Sequence, residues 1–160
     1  MKFSISVTGL DEMLENMEAL SERGQDIAAQ ALYEGAGIVA DGVTKAVKGI
    51  STEPFRYAAG GRKRKPSPEE KAVLLKAKRG ISKFKKTEDR VETNVGLQNS
   101  GYANMVGRRK PIPVIANAIN SGTSFMDKQP FFRQAVSGSE SAAVTAMEKR
   151  MKEEIEKTEL

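Results

Sequence analysis

Ser121 and Thr123 flank Gly122, and two hydroxyls at a glycine turn are where this chain would place an oxygen nucleophile if it had one. Such an oxygen needs a neighbouring base, ordinarily histidine, and a sharp strand-to-helix turn that presents it. The chain has no histidine and no cysteine, and neither hydroxyl sits in nucleophile-elbow spacing. The adjacent acids Glu69-Glu70 and Glu153-Glu154 are the other reactive pattern, suited to proton transfer or to a hard cation. Their placement already has a structural reason, the first pair at a helix start and the second on a charged helix face. Ala59-Gly60-Gly61 lacks the following Lys-Ser or Lys-Thr that a phosphate-binding loop requires. The chain is therefore expected to be no enzyme, with no catalytic residue, no metal and no cofactor.

Charge is the remaining resource. The net charge of +5 hides an uneven distribution: residues 1 to 55 hold 4 basic and 9 acidic side chains, residues 56 to 90 hold 13 and 4, and residues 91 to 160 hold 9 and 8. The middle segment contains Arg62, Lys63, Arg64 and Lys65, then Lys83, Lys85 and Lys86. Clustered cations of this kind bind polyanions through counterion release, or else form a solvated basic loop. No helix-turn-helix, zinc or aromatic ribonucleoprotein motif accompanies them, and Phe55, Tyr57 and Phe84 are the only rings nearby.

The elements that carry these residues follow from patterning. Lys2 to Thr8 alternates polar and apolar, which predicts a strand with Phe3, Ile5 and Val7 on one face. From Leu10 to Ile50, apolar residues recur at steps of three and four, the strongest helical signal in the chain, with a break expected at Ser21-Glu22-Arg23-Gly24. Gly35 and Gly42 lie on the apolar stripe, where glycine costs about 1 kcal/mol against alanine, so either another backbone approaches closely there or poor helix formers are tolerated.

Residues 51 to 68, rich in proline, glycine and cations, predict an exposed basic loop. Ser67-Pro68-Glu69-Glu70 predicts a capped helix to about Lys78. Ile81, Phe84 and Val91 to Leu97 predict paired strands joined through Lys85 to Arg90, completing a small antiparallel sheet with the first strand. Residues 98 to 110 default to loop, and Pro111 to Asn120 is too short for periodicity to choose helix or strand. Ser137 with Glu140 has capping-box spacing, which predicts the start of a terminal helix with Glu148–Lys152 and Glu153–Lys157 pairs. Ahead of it, Gly122 permits an unusual turn and Pro130 fixes the chain before Phe131 and Phe132. One ring is expected in the core, and the other is open to a core or an intersubunit role.

These readings give one α+β domain over residues 1 to 160, a small antiparallel sheet packed against a long N-terminal helix and a C-terminal helix, with a basic loop or insertion at about 51 to 90. No apolar run approaches the roughly 20 residues of a membrane-spanning helix. A soluble protein made in a cytoplasm, with no membrane partner, is expected.

The order Val7-Thr8-Gly9-Leu10-Asp11-Glu12-Met13-Leu14, a long helix, a basic middle, Val95-Gly96-Leu97, Ala118-Ile119-Asn120-Ser121-Gly122-Thr123 and Gln129-Pro130-Phe131-Phe132-Arg133-Gln134-Ala135 resembles the gene-10-like tail component family of long-tailed phages and prophages. Asn120 stands where that family usually has an acid, and the basic stretch over residues 51 to 80 replaces its Pro-x-x-Thr-Gly-x-Leu segment. The resemblance implies a virion protein of the neck or tail top. It implies tail completion or head-tail joining by a ring, commonly a hexamer, in contact with other neck and tail proteins, and with DNA passing through. It also implies that Gly122, Thr123, Pro130, Phe131 and Phe132 form the packing junction that fixes the terminal helix, leaving the basic loop free to meet nonspecific DNA or protein. The runner-up is a basic DNA-binding accessory protein acting through residues 56 to 90.

Overall fold

In the computed structural model, residues 2 to 5, 22 to 54, 61 to 87, 90 to 97, 101 to 105 and 107 to 158 are described. The expected helix start at Asp11, and the chain on the N-terminal side of the expected break, lie outside them. Among the described residues the elements are β1 (Lys2–Ile5), α1 (Glu22–Lys48), α2 (Pro68–Lys76), β2 (Arg79–Ile81), β3 (Lys85–Thr87), β4 (Arg90–Leu97), β5 (Tyr102–Met105), β6 (Arg108–Pro111), α3 (Ile112–Ser121) and α4 (Phe131–Thr158). The class is α+β, with a small antiparallel sheet and long N- and C-terminal helices that pack together.

The chain divides into two compact units. One joins Asp41–Arg79 to Leu97–Gly138, and the other joins Lys2–Ala40, Gly80–Gly96 and Ser139–Leu160. By sequence the first holds 16 basic and 5 acidic residues, a net +11, and the second holds 10 and 16, a net −6, with seven of those 16 acids outside the described residues. We refer to them as the basic and the acidic unit.

The acidic unit is a four-stranded sheet with helix packing. Its central strand β4 pairs with β1, β2 and β3. Phe3 stands opposite Val95 and Ile5 opposite Thr93 in the β1–β4 register. Lys85 stands opposite Glu92 and Thr87 opposite Arg90 in the β3–β4 register. The period of two puts Thr93 and Val95 inward, both at 2% exposure or less. The Thr93 hydroxyl is satisfied there by donating to the Ser82 carbonyl at 2.8 Å. Ala28, Leu32, Ala36 and Val39 line one stripe of α1, and Ala143, Met147 and Met151 one stripe of α4; all seven are buried. A Cβ on Gly35 would lie 2.5 Å from Met147 Cε, so that glycine admits the methionine to the helix surface. The close approach expected on this stripe is thus made by a side chain.

The basic unit packs α2, α3 and the start of α4 with the β5–β6 hairpin. Leu74, Ile115, Ala116, Ile119, Phe131 and Phe132 are its buried centre. The run that periodicity left open is helix, with Ile112, Ile115, Ala116 and Ile119 on its buried face. At the start of α2, Ser67 Oγ accepts from Glu70 N at 3.2 Å and Glu70 Oε2 accepts from Ser67 N at 2.8 Å, a complete capping box.

Three expectations are corrected. Residues 102 to 111 form an antiparallel hairpin, with Tyr102 opposite Pro111 and Asn104 opposite Arg109; its alternation is hidden in the sequence because the outward residues are polar and the inward ones include Ala103. The terminal helix starts at Phe131, and Ser137 and Glu140 lie inside it. Its cap comes from another element, since Asn120 Oδ1 of α3 accepts from Phe132 N at 3.2 Å. The charged pairs on that helix are Lys149–Glu153 at 3.8 Å, Arg150–Glu154 at 3.1 Å and Lys157–Glu154 at 2.8 Å, which differ in register from those expected. Among the described residues, no helix is long and apolar enough to cross a membrane.

Candidate functional site

The expected free basic loop is not free at Arg64. This arginine is 7% exposed and Glu70 is 5% exposed. Its guanidinium meets the carboxylate in a two-pronged pair, Nη1 to Oε2 at 2.8 Å and Nη2 to Oε1 at 2.7 Å. Nη1 also donates to the Lys65 carbonyl at 3.0 Å. The backbone is held on both sides, Arg64 N donating to Phe125 O at 2.9 Å and Asp127 N to Arg64 O at 2.8 Å. Glu53 closes the other flank: its Oε1 accepts from Lys65 N at 2.6 Å and its Oε2 from Arg62 Nη2 at 3.2 Å. A four-cation run read as a solvated loop therefore contains one core residue. An isolated cation in sequence carries no sign of its buried partner six positions on.

Electrostatics at this pair are asymmetric. The hydrogen bond to Glu70 raises the Arg64 pKa further, against the opposing pull of burial. Burial by itself would push the Glu70 carboxyl up; the bonds from Arg64 and the Ser67 N–H, with the charges of Arg64 and Lys110, outweigh it and hold the carboxyl below its ordinary value of 4.5. A depressed carboxyl stabilises the fold above that ordinary value and stops doing so as pH falls through the folded-state value. Stability measured by chemical denaturation is thus expected to drop on acidification below about pH 4.5, with a shallower drop in Glu70→Gln. Equal acid dependence in the two proteins would contradict this assignment.

The segment from Gly122 to Phe132 holds the loop from the opposite side. Gly122 has φ +77°, and a Cβ there would meet Lys128 backbone atoms at 3.2 Å. Thr123 Oγ1 accepts from Met126 N at 3.0 Å and Phe125 N at 3.3 Å, and Thr123 N donates to Met126 O at 3.0 Å. Gln129 clamps residue 51 in both directions, its Oε1 accepting from Ser51 N at 2.9 Å and its Nε2 donating to Ser51 O at 2.8 Å. Pro130 leads into α4, its carbonyl accepting from Gln134 N at 3.1 Å. Phe131 and Phe132 are each 1% exposed, with ring centroids 4.7 Å apart. Both rings are core in this chain, so the second is not available to a neighbouring subunit.

The seven cations expected to act together do not belong to one compact unit. Arg62, Lys63, Arg64 and Lys65 lie in the basic unit; Lys83, Lys85 and Lys86 lie in the acidic one. Of the latter, Lys86 forms an ion pair to Asp26, and Lys85 stands opposite Glu92 in the ladder, where Glu92 pairs with Arg90. Lys83 is exposed, as are Arg62, Lys63 and Lys65.

Reasoning from sequence missed the hairpin's contribution. Arg108, Arg109 and Lys110 are consecutive and exposed on β6, and none forms an ion pair among the described residues. The Arg109 guanidinium lies 4.7 Å from the Tyr102 ring centroid, a cation–π contact. The available signal was the absence of any acid between Glu92 and Asp127. Arg79 was also missed: its Nη1 caps α2 by donating to the Leu74 carbonyl at 3.0 Å and to the Ala77 carbonyl. Burial lowers its pKa.

The hydroxyls first considered for chemistry have structural partners. Ser121 Oγ donates to Asn117 Oδ1 at 3.3 Å, and Thr123 Oγ1 organises its own turn. Among the described residues, no three acids gather as a metal site. In the acidic unit, Tyr33 and Phe84 meet edge to face at 6.1 Å beside Glu34 and Arg150, lining an open hollow. No family model matches the chain, and no curated protein or solved structure shows a significant match to it.

Proposed function

We propose that the chain is a structural protein of the phage neck or tail top, a tail-completion or head-tail joining component. It assembles into a ring in the virion after synthesis in the host cytoplasm, against other neck and tail proteins. The motif order from Val7 to Ala135 suggests the class. The observation that carries the reading is the concentration of positive charge in one compact unit, a net +11 by sequence. A strongly basic unit suits a heterologous contact, in which one surface of each copy meets a different surface of the next; repeated with closure, such a contact makes a ring. Binding then rests on shape and charge, and no bond-making step is assigned to the chain.

Deleting the gene from the phage or prophage that carries it tests the reading. Heads and tails should accumulate unjoined or incomplete, with infectivity restored by supplying the chain in trans. Normal particles and unchanged infectivity would overturn it. The second reading, a basic DNA-binding accessory protein acting through residues 56 to 90, gains support from the net charge of the basic unit but not from that segment, which is divided between the units.

A further inference from the structure

The β5–β6 hairpin has two chemically different faces. In the antiparallel register Asn104 pairs with Arg109 and Tyr102 with Pro111, so these four residues share one face, and Ala103, Met105, Arg108 and Lys110 share the other. Met105 is buried at 6% exposure, which turns the second face toward the basic unit's core. The first face is turned to solvent, with Tyr102 at 59% exposure and Asn104 and Arg109 both exposed. Arg108 and Lys110, on the second face opposite Met105 and Ala103, are nevertheless exposed.

An aromatic ring, an amide and a guanidinium thus stand together on one exposed two-stranded ribbon, flanked by two further cations. A ribbon of this width fits the major groove of duplex DNA, where Asn and Arg are the side chains whose donor and acceptor geometry matches base edges. The contact between Tyr102 and Arg109 restrains the guanidinium on the outward face. Complementarity favours a polyphosphate: no acid occurs in the sequence between Glu92 and Asp127, and the surrounding unit is strongly basic.

We propose that the β5–β6 ribbon is a contact for duplex DNA, with Arg109, Asn104 and Tyr102 facing a groove and Arg108 and Lys110 meeting the phosphates on either side. This contact is separate from residues 83 to 86 and does not depend on ring assembly, so a monomer should show it.

Fluorescence anisotropy with a labelled duplex of about three helical turns, titrated over a series of potassium chloride concentrations, tests the proposal. The full chain should bind with log K falling linearly against log salt. The combined Arg108→Ala, Arg109→Ala, Lys110→Ala variant should lose about 2–3 units of that slope and at least about tenfold in affinity at low salt. The Lys83→Ala, Lys85→Ala, Lys86→Ala variant should stay within about threefold of the parent, since Lys86 pairs with Asp26, Lys85 faces Glu92 and none of the three lies in the basic unit. Arg109→Gln alone, with an unchanged circular dichroism melt, should weaken binding and so separates contact loss from misfolding. No binding by the parent at low salt, or equal loss in the two triple variants, would overturn the proposal. So would ribbon variants that lose self-association while leaving duplex binding intact, which would make the ribbon's partner the acidic unit of another copy. Failure of the gene-deletion test with ribbon binding intact would remove the virion reading alone.

Discussion

Arg64→Ala is expected to destabilise the protein by about 3–5 kcal/mol, the cost found when one partner of a buried ion pair is removed and the other charge stays uncompensated. The Glu70 carboxylate would remain 5% exposed with its two guanidinium bonds gone. For a chain of this size that cost lowers the melting temperature by roughly 6–20 °C. Deleting Arg62 to Lys65 should be at least as damaging, because it also removes the backbone bonds to Phe125 and Asp127. A double-mutant cycle of Arg64→Ala with Glu70→Gln isolates the pair, and strongly sub-additive losses are expected. A change below about 1 kcal/mol in Arg64→Ala, the size usual for an exposed pair, would place the arginine in solvent.

Phe132→Ala should cost a similar amount, about 3–5 kcal/mol, because the ring is 1% exposed and its removal leaves a cavity beside Phe131. Phe132→Leu should lose much less, since it keeps most of the apolar volume. The alanine loss is expected in chemical denaturation as a shifted midpoint with little change in slope. A loss below about 1 kcal/mol would show that the ring does not fill the core of the basic unit.

Both effects concern residues that the sequence exposes to different degrees. Phe131 and Phe132 follow a proline and precede a helix, and a bulky apolar pair there is readable as packing. Arg64 is not readable, because its burial depends on Glu70 reaching back from a helix cap and on Phe125 and Asp127 arriving from a distant segment. The capping box at Ser67 to Glu70 was legible because it is local. The terminal helix was misplaced at Ser137 for the converse reason: its true start at Phe131 is capped by Asn120, from another helix.

The sheet was legible through the alternation in β1 and β4, except for β3, since Lys85–Thr87 reads in sequence as the connection between strands. The hairpin was not, because Tyr102, Asn104 and Arg109 face water and leave too few apolar positions to show a period of two. The candidate surface was hidden with it. Runs of like charge announce themselves in sequence, whereas a unit assembled from Asp41–Arg79 and Leu97–Gly138 gathers its +11 from segments far apart.

We propose that the chain is a building block of a particle, and quantitative mass spectrometry of purified particles from the phage or prophage that carries it is the direct test. Intact virions should then contain the protein at a fixed small copy number consistent with one ring. Its absence from particles that are complete and infectious would contradict the account.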